Sequence, residues 1–173
     1  KRQGLMKTAI RDDNPVLFLT PIMVLKKNIK NEIPDEEYLI PLGQADIRRE
    51  GKDATVVATG YMVHKALAAA QKLGEKGISI EVIDPRSLAP LDKETIFDSV
   101  KKTGRLITMT EDPRNGSAGS LIAARVAEEC FDYLDAPPRV IGAIDTPIPY
   151  SPPLENTYVP QEEDLIEAVT GIV

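Results

Sequence analysis

The amino-acid sequence predicts an α/β fold, in which a parallel or mostly parallel sheet is covered by helices on both faces. Three observations carry this prediction. Short β-branched segments alternate with amphipathic helical segments, as they do in βαβ folds. The central strand segments are apolar on both faces, as strands buried beneath helices are. The chain has 173 residues, 42% hydrophobic and 28% charged, which is ordinary for one large domain and argues against bulk disorder.

The first 42 residues lack the regular pattern of the remainder. Apolar residues at helical spacing predict that residues 5–11 form the end of a helix, and the DDNP run at 12–15 breaks it. The apolar run VLFL at 16–19 predicts a short strand. The periodicity then fades and prolines punctuate the chain, so we predict an interdomain linker over residues 20–42.

From residue 43 onward, strands and helices alternate. Strands are predicted at 45–50, 55–59, 78–83, 106–110 and 139–143, and helices at 62–76, 93–104, 120–134 and 160–169. The first of these strands is polar and suits a sheet edge. Asp92 is predicted to cap the second helix, with Leu91 and Ile96 as a hydrophobic staple. The third helix is expected to turn one apolar face inward, formed by Leu121, Ile122, Ala124, Ala127, Cys130, Phe131 and Leu134.

A proline-rich segment, residues 145–155, lies between the last predicted strand and the last helix. We predict that it is ordered, because Ile148, Tyr150 and Leu154 could anchor it to the domain. A flexible linker is the alternative interpretation.

The charge of the chain is concentrated in its last third. The net charge is −6, from 21 basic and 27 acidic residues, which excludes a generally basic nucleic-acid-binding protein. Residues 1–52 carry +2, residues 53–110 carry +1, and residues 111–173 carry −9. The acidic third is interpreted either as a solvated face or as a docking surface for a basic partner.

Few residues offer independent chemistry. The single cysteine, Cys130, excludes a disulfide framework and a multi-cysteine zinc site, and its position on an apolar helix face favours core packing. The first buried strand is followed by GYMVH rather than by G-x-G-x-x-G, so the dinucleotide fingerprint is missing. No run reaches about 18 apolar residues, so no membrane span is expected.

Two loops and one histidine remain as candidates. The NGSAG loop at 115–119 could hold an anion through its amides or could simply be a tight turn before a helix. Ser117 and Ser120 do not fit a G-x-S-x-G nucleophile motif. His64 lies in the first turn of a helix that follows a strand, where both a functional and a structural role are open. The EDPRNG cluster at 111–116 could contact a ligand or a partner, or form a surface turn.

Four segments of the chain resemble one protein family. Residues 4–19, 40–70, 80–106 and 131–160 are similar to the beta subunit of the thiamine-diphosphate-dependent 2-oxo acid dehydrogenase component, and VIDPRSLAPLD followed by SVKKTGRL is the most specific match. The resemblance implies the C-terminal half of that subunit, with a transketolase C-terminal-like fold. This fold has three layers, α/β/α, and a mostly parallel five-stranded sheet with one antiparallel strand, for which residues 45–50 are the candidate.

The same resemblance implies a division of the chain. Residues 1–19 would be the tail of the preceding pyrimidine-binding domain, residues 20–42 a linker, and residues 43–173 the transketolase C-terminal-like domain. Residues 1–19 would lack their parent sheet and are expected to be mobile, swapped or packed on a neighbouring copy. The chain begins at Lys1 without a methionine, which fits a chain separated from its catalytic half. A cytoplasmic location is expected, although no targeting segment can be tested.

The function implied by the resemblance is assembly and partner docking. The complete enzyme would decarboxylate a 2-oxo acid, foremost pyruvate, on thiamine diphosphate and would acylate lipoyl groups of an acyltransferase. We expect no catalytic or cofactor-binding residue here, so thiamine diphosphate and magnesium would bind elsewhere and the isolated chain would be inactive. A monovalent cation such as potassium would be held by backbone carbonyls of Ala9, Asp12 and Asn14.

The expected partners are an alpha subunit, a second beta subunit and the basic peripheral subunit-binding domain of the acyltransferase. No nucleic acid or membrane is expected as a partner. Asp135 matches a family residue that contacts the basic domain, and Glu162 and Glu163 are further docking candidates in the acidic third. Two alternatives stay open: an acetoin dehydrogenase beta subunit, and a free-standing module with an anion site at Gly60 or Gly116.

Overall fold

The computed structural model describes residues 2–26 and 36–173, with seven α-helices and five strands in these two ranges. The helices are α1 (Arg2–Arg11), α2 (Ile22–Lys26), α3 (Met62–Glu75), α4 (Lys93–Thr103), α5 (Ala118–Glu129), α6 (Pro152–Tyr158) and α7 (Glu162–Thr170). The strands are β1 (Asp46–Arg49), β2 (Ala54–Ala58), β3 (Ile80–Asp84), β4 (Leu106–Pro113) and β5 (Arg139–Ala143), and a 3₁₀ turn covers Phe131–Tyr133.

The five strands form one sheet in the order β1-β3-β2-β4-β5. Strands β2 to β5 are parallel, and β1 pairs with β3 in the antiparallel direction. Asp46 lies opposite Asp84, and Ile47 lies opposite Ile83. The predicted fold class is confirmed, including the polar antiparallel strand at the edge.

Helices cover the sheet on both faces, which gives the three layers. One apolar core contains Leu73 of α3 and Leu165 of α7, packed with β2 and β3. The other contains Ile96 of α4 and Val126 of α5, packed with residues from the opposite face of the same strands. Every residue of β2 is buried, because helices lie above and below it.

Helix α4 has the boundaries that its local sequence predicts. The Asp92 carboxylate accepts a hydrogen bond from Thr95 N at 3.1 Å and one from Ala45 N at 2.8 Å. Gly104 ends the helix in the left-handed conformation, with φ at 68°. Leu91 and Ile96 belong to the same core, as the predicted staple requires. Asp92 therefore both caps α4 and holds the chain that enters the edge strand β1.

The predicted strand at 16–19 is wrong. These four residues, all within the described range 2–26, form neither a helix nor a strand, and Leu17 and Leu19 are 84% and 75% exposed. A strand needs a hydrogen-bonded neighbour, and the sheet found in residues 2–26 and 36–173 uses other segments. The predicted linker also contains the short helix α2, while its residues 27–35 lie outside the described residues.

The predicted inward face of the third helix is wrong in part. Helix α5 ends at Glu129 instead of reaching 134, and Leu121, Ala124 and Phe131 are exposed. The helix faces the sheet through Gly119, Ile122, Ala123 and Val126. This face differs from the predicted one, and in its first turn Gly119 approaches Thr108 and Thr110 closely. Cys130 is buried, as predicted.

The anchors predicted for the proline-rich segment are wrong as well. Ile148, Tyr150 and Leu154 are all exposed. The segment leads into α6, whose last residue, Tyr158, is buried and supplies the apolar anchor. The apolar anchor therefore lies at the end of α6, after the three residues that were predicted.

Candidate functional site

Strands β2 and β4 are neighbours, and their following helices go to opposite faces of the sheet, α3 to one and α5 to the other. Open α/β sheets bind ligands in the crevice outside the carboxyl ends of such strands. Gly60 lies there, with φ at 58°. A Cβ atom on Gly60 would lie 2.8 Å from Pro21 Cγ and 3.0 Å from Glu111 Oε2. Side chains of the chain itself therefore take up the space beside Gly60.

Glu111 occupies the place that an anion would take at the start of α3. Its Oε2 accepts a hydrogen bond from Tyr61 N at 3.5 Å, at a helix end that has no side-chain cap of its own. Burial raises the pKa of the Glu111 carboxyl and Asp112 adds to the rise, while Tyr61 N–H and Lys65 oppose it. The acidic cluster at 111–116 thus makes a contact within the chain.

The second candidate anion loop is also engaged internally. Ser117 caps α5 by accepting a hydrogen bond from Ser120 N at 3.1 Å, and both serine hydroxyls donate to Arg114 O. Gly116 supports the turn with φ at 75°. This arrangement is the tight turn before a helix that was one of the two interpretations of the NGSAG loop.

The remaining reactive side chains have structural surroundings. His64 lies in the first turn of α3, and its ring centroid is 5.8 Å from that of Tyr61. Cys130 is 1% exposed at the end of α5, and burial raises the pKa of its thiol. A buried thiol with a raised pKa is a poor nucleophile, so Cys130 acts in packing.

The DPRS part of the most specific motif ties the edge strand to the sheet. Asp84 accepts a hydrogen bond from Arg86 N at 3.0 Å, and Arg86 Nη2 lies 2.9 Å from Asp46 Oδ2 in β1. Ser87 Oγ accepts a hydrogen bond from Gly43 N at 2.8 Å. Burial raises the pKa of Asp84, against the Arg86 N–H and the nearby guanidinium groups. The motif therefore forms the joint between β3, β1 and the segment that enters the domain.

The residues expected to hold a monovalent cation lie at the end of α1. Ala9 is in the last turn of this helix, where backbone carbonyls lack helical partners. Asp12 Oδ1 accepts hydrogen bonds from Asn14 N at 2.9 Å and from Asn14 Nδ2 at 3.0 Å. These bonds lower the pKa of Asp12, so its carboxylate stays charged. An oxygen-rich helix C-terminus beside a carboxylate is chemically suited to a hard cation.

The three predicted docking residues form two separate acidic surfaces. Asp135 lies at the amino end of β4, where its N–H donates to Gly104 O at 2.7 Å and its carboxylate lies 3.5 Å from Arg105 Nη1. Glu162 and Glu163 begin α7. The nine residues of α7 span about 13 Å at 1.5 Å per residue and lie between the two surfaces.

Two basic residues that the sequence did not single out neutralise part of this charge. Lys72 Nζ lies 2.8 Å from Glu162 Oε2 and 3.2 Å from Glu163 Oε1, and these carboxylates raise the pKa of Lys72. Arg105 donates from Nε to Ile172 O at 2.6 Å and so joins Asp135 to the chain beyond α7. The sequence offers little to indicate these pairs. Arg105 is a single basic residue in the TGRL stretch, and Lys72 is one of several polar residues in α3.

Within residues 2–26 and 36–173, no three His, Cys, Asp or Glu side chains are close enough together to hold a metal ion. A search of the same ranges finds no helix long and apolar enough to cross a membrane.

Comparison with known proteins gives one family. Residues 43–165 match the model of the family "Transketolase, C-terminal domain". The acetoin:2,6-dichlorophenolindophenol oxidoreductase subunit beta of Bacillus subtilis (strain 168) is 48% identical over 99% of this chain and 49% of that protein. The pyruvate dehydrogenase E1 component subunit beta-1, mitochondrial, of Arabidopsis thaliana is 47% identical over 96% of this chain and 46% of that protein.

A third relative and one solved structure agree with these matches. The 2-oxoisovalerate dehydrogenase subunit beta of Bacillus subtilis (strain 168) is 43% identical over 96% of this chain and 50% of that protein. A split-gene transketolase, solved as an inactive beta4 tetramer, has a TM-score of 0.69 and 32% identity over 82% of this chain and 46% of that one. The chain spans about half the length of the curated relatives it matches.

These matches confirm the resemblance that the motifs indicated. The relatives carry the names of acetoin, pyruvate and branched-chain 2-oxo acid enzyme beta subunits, and the family match covers the whole five-stranded sheet. The chain therefore belongs to the family of transketolase C-terminal domains.

Proposed function

We propose that this chain is the assembly and partner-docking part of a 2-oxo acid dehydrogenase beta subunit, and that pyruvate is the substrate of the complete enzyme. One observation carries the proposal: relatives that are 42–47% identical along nearly the whole chain are named as beta subunits of pyruvate dehydrogenase. In the complete enzyme, thiamine diphosphate would supply the carbon–carbon bond cleavage, and a lipoyl group of the acyltransferase would accept the acyl group.

The chemistry would take place outside this chain. The described residues do not fit magnesium and diphosphate, because they contain no cluster of metal-ligating side chains and Pro21 and Glu111 take up the space beside Gly60. We therefore assign both groups to other parts of the enzyme and keep residues 1–19, 20–42 and 43–173 as the proposed tail, linker and domain. A cytoplasmic location stays a prediction.

The cation role of the α1 terminus stays part of the proposal. Carbonyls of Ala9, Asp12 and Asn14 would contribute some ligands of a potassium ion, and the rest would come from other parts of the enzyme. The charged Asp12 carboxylate and the negative end of α1 support this assignment.

Docking of the basic acyltransferase domain would depend mainly on Asp135. Its side chain is 64% exposed and lies 3.5 Å from Arg105 Nη1, so a second cation can approach it from the solvent side. Glu162 and Glu163 already share Lys72, which weakens their attraction for a partner. We therefore order the three predicted docking residues, with Asp135 first.

A calorimetric titration with the isolated basic domain tests this proposal. We expect Asp135→Lys to weaken binding about tenfold and to flatten its salt dependence, because attraction between the Asp135 carboxylate and the basic domain is replaced by repulsion. The variants Glu162→Lys and Glu163→Lys should have smaller effects.

Asp132→Lys is the matched control, since Asp132 is also exposed and lies three residues from Asp135. It makes the same change in net charge and should retain most of the affinity. Equal affinities of the Asp135→Lys variant and the unmodified chain, with unchanged thermal unfolding, would remove Asp135 from the docking surface.

An acetoin enzyme is the second candidate, and the Bacillus subtilis acetoin oxidoreductase subunit at 48% identity favours it. Substrate choice would be set by residues of the complete enzyme. Comparing kcat/KM of the complete enzyme for pyruvate and for acetoin separates the two candidates.

A further inference from the structure

The segment between β5 and α6 forms a proline-rich arm, defined here as residues 144–154. Its large apolar side chains point into solvent: Tyr150 is 100% exposed, Ile148 is 71% exposed, and Leu154 and Ile144 are 58% and 52% exposed. Soluble monomers rarely present so many large apolar side chains in one short stretch unless the stretch binds something.

The two ends of the arm are held by contacts with the domain, whereas the large apolar side chains of its tip, residues 148–154, are exposed. Asn115 Nδ2 donates to Asp145 Oδ2 at 2.7 Å, and Thr146 N donates to Ile144 O at 2.8 Å. Tyr158, at the end of α6, is 6% exposed and anchors the far side. Four prolines restrict the backbone between these points, so binding through the tip would cost little conformational entropy.

The charge around the arm restricts the kind of partner. Residues 140–173 contain six acidic and no basic residues, and Lys72 of α3 pairs with two of the six, Glu162 and Glu163. Asp145 and Glu155 flank the tip, and both are exposed. Two copies that met through this arm would bring like charges together, whereas a surface bearing Lys and Arg would be attracted.

We infer that the proline-rich arm inserts Ile148, Tyr150 and Leu154 into an apolar pocket, bordered by Lys and Arg side chains, on another protein of the assembled complex. Tyrosine is a frequent energetic anchor of interfaces, because it buries a large rigid ring while its hydroxyl reaches the polar rim. The inference rests on the proposed role in assembly and adds the position and chemistry of one contact. It is distinct from the Asp135 surface, since the arm follows the carboxyl end of β5 and Asp135 precedes its amino end.

Photo-crosslinking tests the inference in the complete polypeptide purified with its natural partners. The probe is p-benzoylphenylalanine in place of Tyr150, with the same probe in place of Leu88 as the control. Leu88 is 52% exposed and follows β3, near the opposite edge of the sheet. We expect the probe at 150 to crosslink to a different polypeptide, at an apolar segment with Lys or Arg beside it. Ile148→Ser together with Leu154→Ser should lower this yield about tenfold, as expected for loss of interface anchors.

Several results would overturn the inference: a crosslink only within the chain, to a second copy or to lipid; no crosslink; or the same partner segment from position 88. Pyruvate oxidation by the same preparation keeps the two proposals apart. Activity without the expected crosslink would overturn the arm contact alone, whereas the crosslink without activity on pyruvate would overturn the proposed substrate alone.

Discussion

Replacing Gly51 by alanine is expected to lower the free energy of unfolding by about 3 kcal/mol or more, one of the larger effects of a single methyl group. A Cβ atom on Gly51 would overlap the carbonyl carbon of Ile80 and the backbone nitrogen of Glu81. Both atoms belong to β3, which pairs with β1 and with β2, so neither can move without disturbing the sheet. Urea unfolding followed by circular dichroism measures the change.

Gly74→Ala is the matched control for this substitution. The nearest atom to a Cβ on Gly74 is Arg49 Nη2 at 3.2 Å, at the end of a flexible side chain. Gly74 lies inside α3, where alanine is favoured over glycine by about 1 kcal/mol. The control should therefore be as stable as the unmodified chain or more so. A Gly51→Ala variant that unfolds at the same urea concentration as the unmodified chain would contradict the close approach of β3.

Lys102→Met is expected to lower the free energy of unfolding by about 3 kcal/mol, because it leaves a buried carboxylate without its counter-ion. Glu81 is the second residue of β3 and is 1% exposed. Its carboxylate accepts hydrogen bonds from Lys102 Nζ and from Gly51 N, the latter at 3.3 Å. Urea unfolding at neutral pH measures the loss.

The pH dependence distinguishes this cause from simple loss of packing. Burial alone would raise the pKa of Glu81, but hydrogen bonds from Lys102, Ser99 and Gly51 outweigh it and hold the pKa below the ordinary value of 4.5. In the unmodified chain, the contribution of Glu81 is therefore complete above the unfolded-state pKa and is lost as the pH falls through the lower folded-state pKa. When Lys102 is absent, we expect burial to raise the folded-state pKa of Glu81 above its ordinary value. The loss in the free energy of unfolding of the Lys102→Met variant should therefore shrink as the pH falls through this raised pKa, because Glu81 becomes protonated in the folded state.

Two further variants serve as controls for Lys102→Met. Lys101→Met removes a neighbouring exposed lysine, whose Nζ lies 5.5 Å from the Tyr133 ring centroid, and should cost little. Glu81→Leu combined with Lys102→Met removes both charges and should recover much of the loss. A deficit that stays constant with pH, or that the double substitution leaves unchanged, would show that the ion pair is not its cause.

Local signals were sufficient to predict several elements. Asp92 and Gly104 mark the ends of α4 because a cap and a left-handed glycine act within one turn of the helix. The central strands of the sheet were predicted because strands between helices are apolar on both faces. The direction of β1 came only from the family resemblance, since a polar four-residue strand has no local mark of its direction.

Elements that depend on distant partners could not be predicted in this way. The run at 16–19 has the composition of a strand, yet no neighbouring strand pairs with it among the described residues. Glu81 looks like the polar position of a half-exposed strand, but α4 covers it and Lys102 supplies its counter-ion from 21 residues away. Leu121 is as apolar as a core residue, yet it is exposed because α5 turns Gly119, Ile122, Ala123 and Val126 toward the sheet instead.

The candidate site shows the same limit. Acidic composition pointed to docking, but only the three-dimensional structure separates Asp135 from Glu162 and Glu163 and pairs the latter two with Lys72. An anion site at Gly60 was one of the predicted alternatives. In the structure the Glu111 carboxylate of the same chain lies beside Gly60. Each of these contacts joins residues that are about 50 or more positions apart, so local sequence cannot indicate them.

We propose that this chain assembles a 2-oxo acid dehydrogenase and does not perform its chemistry. The most direct measurement is the release of carbon dioxide from carboxyl-labelled pyruvate, with thiamine diphosphate, magnesium and an excess of oxidised lipoyl domain present to accept the acyl group. The chain alone should release none, and the complete beta subunit combined with its alpha subunit should release it in repeated turnovers. Carbon dioxide released by the chain alone, or none released by the complete pair, would contradict the account.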